Sequence, residues 1–414
     1  MPSFEFWPTL IVIAAVLFVI LHTVAYLILV ERKVSAYMQD RIGPNRVGPF
    51  GFFQPLVDGV KMFIKEDIIP NHVDKVFYVA APAIATATAL LAFAIVPFGP
   101  TSPPPNTVPI KSDLPADDAR RIANAEAEFD QQTYREHRSY AIAPGIDIGI
   151  LFTFSISSLA VYGIILGGWS SNNKYSVLGA LRSSAQIISY EIPLGMSILG
   201  VVLYSGSLNL EKVIDWQANH GWNILWHPLA FFIFMTSVFA ECNRLPFDLP
   251  EAEQELVGGY HTEYSSIKFG LFFLGEYTHM ITTSFLMAVV FFGGWHLPFG
   301  LTDGNAWWQQ VLKFAAVGGK AGFFILLYIV VRWTLPRFRF DQLMSIAWKV
   351  MIPLAMVNLV LVMFVREFEL PIVVISVASL GLLVGSAWLN SKRPGSPRVR
   401  IDPRMKRSLA GTVS

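Results

Sequence analysis

Nine stretches of this sequence are apolar over enough residues to cross a lipid bilayer. A membrane-spanning helix needs about 20 such residues. Because lipid offers no hydrogen-bond partner to the backbone, helices are the structure expected of them. The sequence therefore predicts an all-α polytopic membrane protein with about nine transmembrane helices. We place them near residues 9–30, 77–98, 145–167, 185–206, 227–242, 267–292, 311–332, 344–365 and 370–389.

The composition excludes several other classes of protein. The chain is 53% hydrophobic and 15% charged, whereas soluble domains carry about 25% charged residues. Its net charge of +1 gives no electrostatic case for nucleic-acid binding. Cys242 is its single cysteine, so we expect neither an internal disulfide nor a cysteine-ligated cluster or metal site.

The distribution of Lys and Arg predicts the orientation. Basic residues concentrate in loops on one side and in the tail after residue 389. Positive loops normally face the cytoplasm, so we expect the N-terminus outside and the C-terminus in the cytoplasm. The loop 99–144, which mixes both signs of charge, then becomes an extracytoplasmic insertion.

The stretch between Glu241 and Tyr277 is unusually acidic for a segment flanked by apolar sequence. Two fixed cations, Arg244 and Lys268, accompany seven carboxylates: Glu241, Asp248, Glu251, Glu253, Glu255, Glu263 and Glu276. A predicted helix start at Asp248 explains two of them, because acidic residues stabilise a helix N-terminus. The others need another reason, and we interpret them as proton-exchanging groups.

Glu191 and Lys320 are ionisable residues inside predicted spans away from that stretch. A carboxylate at the depth predicted for Glu191, about two turns inside the fourth span, costs roughly 2.5–3.5 kcal/mol on insertion scales. It is either a partner in an ion pair or a group that takes and gives protons. Lys320 either reaches the membrane surface or pairs with an acid. Each of the eight histidines is interpreted as a satisfied core or interface residue.

The first cytoplasmic loop contains an amphipathic segment. Glycine and proline punctuate residues 41–49, which excludes a regular helix there. Residues 50–67 repeat apolar side chains at helical spacing, which predicts a helix lying in the membrane interface. The helix is either a surface anchor or a wall of a cavity entered from the bilayer. The charged residues of this region favour the second interpretation: Arg32, Arg41, Arg46, Asp58 and Lys61.

These observations divide the chain into four parts. Residues 1–98 hold two spans and the loop 31–75, and 99–144 form the insertion. Residues 145–366 hold the core bundle with the acidic loop 241–266, and 367–414 hold an extra span and a basic tail.

Three segments closely resemble one known family. They are 31–61 (ERKVSAYMQDRIGPNRVGPFGFFQPLVDGVK), 240–265 (AECNRLPFDLPEAEQELVGGYHTEYS) and 332–344 (RWTLPRFRFDQLM). They resemble the H-subunit family of respiratory complex I, the proton-translocating NADH:quinone oxidoreductase. The likeness covers roughly residues 5–98 and 145–366, and the insertion and last span depart from it.

The resemblance implies a fold and a function. It implies eight core helices, with one further C-terminal helix here, that help to form the chamber where quinone, with ubiquinone expected, is reduced. The loop residues Arg32, Arg41, Arg46, Asp58 and Lys61 would line that chamber or its subunit contacts. Coupling to proton translocation would run through an acidic path, to which Glu241 also fits: Glu191, Glu251, Glu253, Glu255, Glu263 and Glu276.

It also implies partners and a location. We expect no redox centre in this chain. Flavin and iron–sulfur clusters belong to partner subunits, with the iron–sulfur subunits docked at the cytoplasmic face and antiporter-like subunits within the membrane. A bacterial plasma membrane is expected, with the mitochondrial inner membrane as the alternative.

Two other functions stay open at this point. One is an ion-translocating membrane anchor of a related hydrogenase-type complex that uses no quinone. The other is a stand-alone secondary transporter, although no inverted repeat of the kind common in transporters is visible.

Overall fold

The computed structural model describes residues 6–100, 142–143, 146–249, 258–298, 301–302 and 307–391. Over these ranges the regular structure is helical throughout, without a strand. The helices are α1 (Phe6–Met38), α2 (Gln54–Ile64), α3 (Lys75–Ala92), α4 (Gly149–Ser170), α5 (Lys174–Ser205), α6 (Leu210–His220), α7 (Asn223–Trp226), α8 (Pro228–Glu241), α9 (Ser266–Phe291), α10 (Trp307–Thr334), α11 (Phe340–Glu367) and α12 (Val373–Ser391). The predicted all-α fold is confirmed.

Most of the predicted spans have the length and apolarity needed to cross a membrane. Among the described residues, six helices meet both conditions: α1, α3, α4, α5, α10 and α11. α8 and the Val373–Ser386 part of α12 are apolar but shorter. α9 is 26 residues long and carries Lys268 and Glu276. Each of the nine predicted stretches is therefore helical, and the number that crosses the membrane stays a prediction.

Several helix boundaries differ from those predicted. The first span does not end at Glu31, because α1 continues to Met38. α3 ends at Ala92 rather than near residue 98. α5 begins at Lys174, where the Asn173 side chain accepts a hydrogen bond from the Tyr175 backbone N–H and caps the helix. Glu191 consequently lies near the middle of α5 instead of two turns inside it.

The predicted amphipathic helix is confirmed within residues 50–67. α2 spans Gln54–Ile64, and none of its side chains is buried within the chain. Its apolar residues Phe63 and Ile64 are 76% and 78% exposed. Such a face requires lipid or another subunit to cover it.

Small residues let three helices approach closely around the centre of the bundle. A Cβ atom added to Gly163 of α4 would lie 2.9 Å from the Cβ of Ala85 on α3. One added to Gly275 of α9 would lie 3.3 Å from the Ala85 carbonyl oxygen. Close backbone contact through Gly and Ala is typical of helix packing in membranes.

Lys320 binds backbone carbonyl groups, a contact that was not expected from the sequence. Its ammonium group donates to the carbonyl oxygens of Phe292, Gly294 and His296, each at 2.7 Å. It also lies 4.8 Å from the centre of the Trp222 ring. Three acceptors satisfy the three N–H donors of a lysine. Among the described residues Lys320 therefore pairs with no acid, and it binds the carbonyl groups just beyond the end of α9.

Candidate functional site: a buried acidic cavity

A small internal cavity lies between α3, α4, α8 and α9. Its volume is about 40 Å³, which is room for about three water molecules. Most of its lining is apolar, and its polar side chains come from four elements. They include Ser157, Glu241, Tyr260, Glu276 and His279. Two predicted site residues, Glu241 and Glu276, therefore share one cavity.

Glu241, the last residue of α8, accepts two hydrogen bonds. Its Oε1 atom lies 3.2 Å from Nε2 of His279. The same oxygen accepts a short hydrogen bond from the Ser157 hydroxyl, which lies 3.0 Å from the same ring nitrogen. The carboxylate side chain is only 9% exposed. Glu241, His279 and Ser157 are thus one connected polar group.

Glu191 binds Ser158, the residue that follows Ser157. The hydroxyl of Ser158 donates a short hydrogen bond to the Glu191 carboxylate. Ser157 and Ser158 are consecutive residues of α4, so one binds Glu241 and the other binds Glu191. No ion pair holds Glu191 among the described contacts, which favours the second of its two interpretations from the sequence.

Glu276 of α9 also lines the cavity. The hydroxyl of Tyr260 is 3.3 Å from its Oε1 atom and donates to it. Tyr260 is 1% exposed and belongs to a tight turn, Gly259–His261. The loop after the acidic stretch therefore contributes a side chain to the cavity.

Glu263 does not line the cavity. Its carboxylate accepts a hydrogen bond of 2.7 Å from the Asn173 side chain, and its backbone carbonyl accepts one of 2.6 Å from the Tyr78 hydroxyl. These contacts anchor the loop beside the start of α5. Glu251, Glu253 and Glu255, and the helix predicted to begin at Asp248, lie outside the described residues.

A second buried ionic group was missed by the sequence interpretation. Glu31 of α1 is 6% exposed. It pairs closely with Arg332 and lies 3.6 Å from Arg244. The hydroxyl of Tyr277 donates to it at 2.6 Å, and the Arg244 guanidinium stacks 4.0 Å from the centre of the Tyr277 ring. The available signal was the charge of Glu31 and Arg332 next to apolar helical sequence.

The charged residues of the first loop have unequal surroundings. Arg32 and Asp58 form a salt bridge of 2.7 Å that joins α1 to α2. Arg41 donates to the side chain of Gln39 at 2.7 Å. Arg46 and Lys61 are exposed. The structure thus brings two of the five residues together and leaves the others on the surface.

The same loop is fastened to the start of α9. The hydroxyl of Ser266 lies 2.8 Å from the Met62 carbonyl oxygen and 2.9 Å from that of Lys65. Lys268 forms a salt bridge of 2.6 Å with Asp67. α2 is consequently coupled to the helix that carries Glu276, Tyr277 and His279.

Arg337, from the third of the segments that resemble the family, contacts the acidic stretch directly. Its Nε atom donates to the Asp248 carbonyl oxygen at 2.9 Å, and its Nη2 lies 3.4 Å from that residue's carboxylate. This contact fixes the backbone of the acidic loop at Asp248, next to the end of its described part.

The fold and this site define a class: a multi-pass helical membrane protein with carboxylates gathered around an internal cavity. The comparisons with known proteins are more specific. Residues 11–363 match the profile of the NADH dehydrogenase family, and the chain belongs to that family.

Curated relatives match over most of their length. The H subunit of NADH-quinone oxidoreductase from Leptospira biflexa is 50% identical over 343 residues, which are 82% of this chain and 90% of the relative. An H subunit of the same enzyme from Cytophaga hutchinsonii is 44% identical over 85% of this chain and 94% of the relative. Subunit 8 of NADH-quinone oxidoreductase from Rhodothermus marinus is 42% identical over 86% of this chain and 96% of the relative. The resemblance to the H-subunit family is confirmed.

Proposed function

We propose that this chain is the quinone-chamber subunit of a proton-translocating NADH:quinone oxidoreductase, and that it couples quinone reduction to proton movement through buried carboxylates. Quinone reduction consumes protons and changes the local charge. Carboxylates in a largely apolar cavity respond to such a change by taking up or releasing protons. The altered charge then biases the conformations of neighbouring subunits.

The observation that carries this proposal is the polar group around the internal cavity. Glu191, Glu241 and Glu276 come from three different helices and have hydroxyl or imidazole partners. A group used only for stability would more often be replaced by apolar residues, because buried charge is costly in a membrane. Hydroxyls, an imidazole and room for water are what proton transfer requires.

The first loop supports the quinone side of the proposal. α2 exposes an apolar face, which fits one wall of a chamber that a lipid-soluble quinone enters from the bilayer. The charged residues that would line this chamber or its subunit contacts are Arg32, Arg41, Arg46, Asp58 and Lys61. The ties from Ser266 and Lys268 to this loop give the chamber a mechanical connection to α9.

The remaining parts of the acidic path are proposed from the sequence. Glu251, Glu253, Glu255 and Glu263 would extend the path from the cavity toward the cytoplasmic loop. Ubiquinone is the expected substrate, and flavin and iron–sulfur clusters would reside in partner subunits. We place the chain in a bacterial plasma membrane, with its N-terminus outside and its C-terminus inside.

The relatives favour this function over the hydrogenase-type anchor. Each relative described above is named as a subunit of an NADH-quinone oxidoreductase. Protection of Arg41 from chemical labelling by a quinone-site inhibitor would separate the two functions, because an anchor that binds no quinone gives no such protection.

The proposal is tested by Glu191→Gln and Glu276→Gln in the assembled complex. Each variant keeps a hydrogen-bonding side chain of the same size but cannot carry a proton. We expect assembly to persist and quinone-linked proton uptake in vesicles to fall by about tenfold or more, the usual effect of losing a proton-transfer group. Glu369→Gln, at an exposed position, is the matched control. Normal pumping in both cavity variants refutes the proposal.

A further inference from the structure

A second, smaller cavity lies beside the acidic cavity, and one group of side chains separates the two. This second cavity measures about 10 Å³, which is space for about one water molecule. Three residues line both cavities: Ser157, Glu241 and His279. The second cavity is otherwise lined by residues of α4, α8 and α9, including Thr153, Thr282 and Thr283. Ser157, Glu241 and His279 therefore form the partition between two cavities.

His279 contacts the partition through one nitrogen only. Its Nε2 atom lies 3.2 Å from Glu241 and 3.0 Å from Ser157. Its Nδ1 atom is buried and makes no hydrogen bond to the described residues. A buried nitrogen left without a partner costs about 1–3 kcal/mol. Ordered water is the usual partner for such an atom, and the residue lines both cavities.

The ionisable groups around His279 come from four helices. Glu241 of α8 is in direct contact, and Glu191 of α5 binds Ser158, the residue next to Ser157. The thiol of Cys242 and the hydroxyl of Tyr328 meet at Thr283, one turn further along α9. Glu276 lies one turn earlier on α9. Of the described residues that line either cavity, none is Lys or Arg.

We propose that His279 relays protons across the partition, between Glu241 and the smaller cavity. This role rests on the proton coupling proposed above. It assigns a further proton-transfer residue that the acidic pattern of the sequence did not indicate. The geometry for it is one ring nitrogen on a carboxylate and the other buried without a described partner, on a residue that lines both cavities.

The relay step conserves atoms and charge. A protonated Glu241 gives its proton to Nε2 of a neutral ring that carries hydrogen on Nδ1, which leaves a carboxylate and an imidazolium. The Nδ1–H bond then breaks, and the proton passes to a water molecule in the bordering cavity. The ring is neutral again with its hydrogen on Nε2. Rotation of the ring, or the same steps in reverse, restores the starting tautomer.

The test is His279→Gln in the assembled complex in vesicles. The glutamine amide can donate to Glu241 as Nε2 does, but it cannot gain and lose a proton. We expect quinone reduction under uncoupled conditions to remain and protons translocated per electron to fall by about tenfold or more. His22→Gln is the control, since His22 also lies in a span, and its one hydrogen bond to the described residues is with the Phe18 carbonyl of its own helix.

The outcomes separate the relay from the proposed function. A normal proton-to-electron ratio in His279→Gln, together with impaired Glu241→Gln and Glu276→Gln, overturns the relay and leaves the function standing. Normal ratios in both glutamate variants refute the function itself. If His279→Gln does not assemble, His279→Asn replaces it, and a normal ratio in that variant likewise overturns the relay.

Discussion

Glu31 shows at the scale of single residues how the bundle accommodates charge. One buried carboxylate serves two guanidinium groups, Arg244 and Arg332, and a tyrosine hydroxyl. Arg244 is itself 6% exposed, so loss of this carboxylate removes a charge partner from a buried guanidinium. Arg332 is less confined, with 26% of its side chain exposed. Removal of Glu31 therefore affects Arg244 most.

We predict that Glu31→Ala destabilises the chain by about 3–5 kcal/mol, the usual cost of breaking a buried ion pair by removing one partner. The measurement is the yield and thermal stability of the assembled complex. Asp58→Ala is the matched control, because the Arg32–Asp58 pair is 49% and 30% exposed and such pairs contribute about 0–1 kcal/mol. Equal losses in the two variants would contradict the compensation described here.

At the scale of helices, α9 connects the separate regions of the molecule. Its first turn binds the loop after α2 through Ser266 and Lys268. Its middle carries Glu276 and His279 to the cavity. Lys320 of α10 binds the carbonyl groups just beyond its last turn. A shift of α9 would therefore displace contacts at the loop, at the cavity and at the Lys320 end of the helix.

Tight packing at α3 and α4 fixes the wall against which α9 lies. We predict that Gly163→Ala lowers stability by about 1–3 kcal/mol, as overpacking commonly does, since the new Cβ would lie 2.9 Å from Ala85. Gly318→Ala is the control, because its Cβ would meet nothing within 4 Å. Thermal unfolding of the purified complex compares the two. An equal or smaller loss at Gly163 would show that the helices separate easily.

At the scale of the whole molecule, the features that depend on hydropathy could be predicted from the sequence. Apolar length located a helix in each predicted stretch, because lipid leaves the backbone no other partner. Hydropathy did not predict where α1 ends. The helix passes through Glu31 to Met38 because its backbone hydrogen bonds continue outside the apolar stretch.

The composition of the site depended on packing that a sequence does not display. The acidic stretch correctly drew attention to Glu241 and Glu276, which share the cavity. Their partners Ser157 and His279 were not predicted, because the Ser157–Glu241 contact spans 84 positions and the Ser157–His279 contact spans 122. Neither residue type is unusual in a membrane helix until its neighbours are known.

The central claim is that buried carboxylates of this chain change protonation when quinone is reduced. Redox-induced infrared difference spectroscopy of the assembled complex measures this through the C=O stretching band of protonated carboxyl groups. We expect that band to change on quinone reduction, and Glu241→Gln and Glu276→Gln each to remove part of the change, while Glu369→Gln leaves it intact. An identical difference spectrum in the wild type and all three variants would contradict the account.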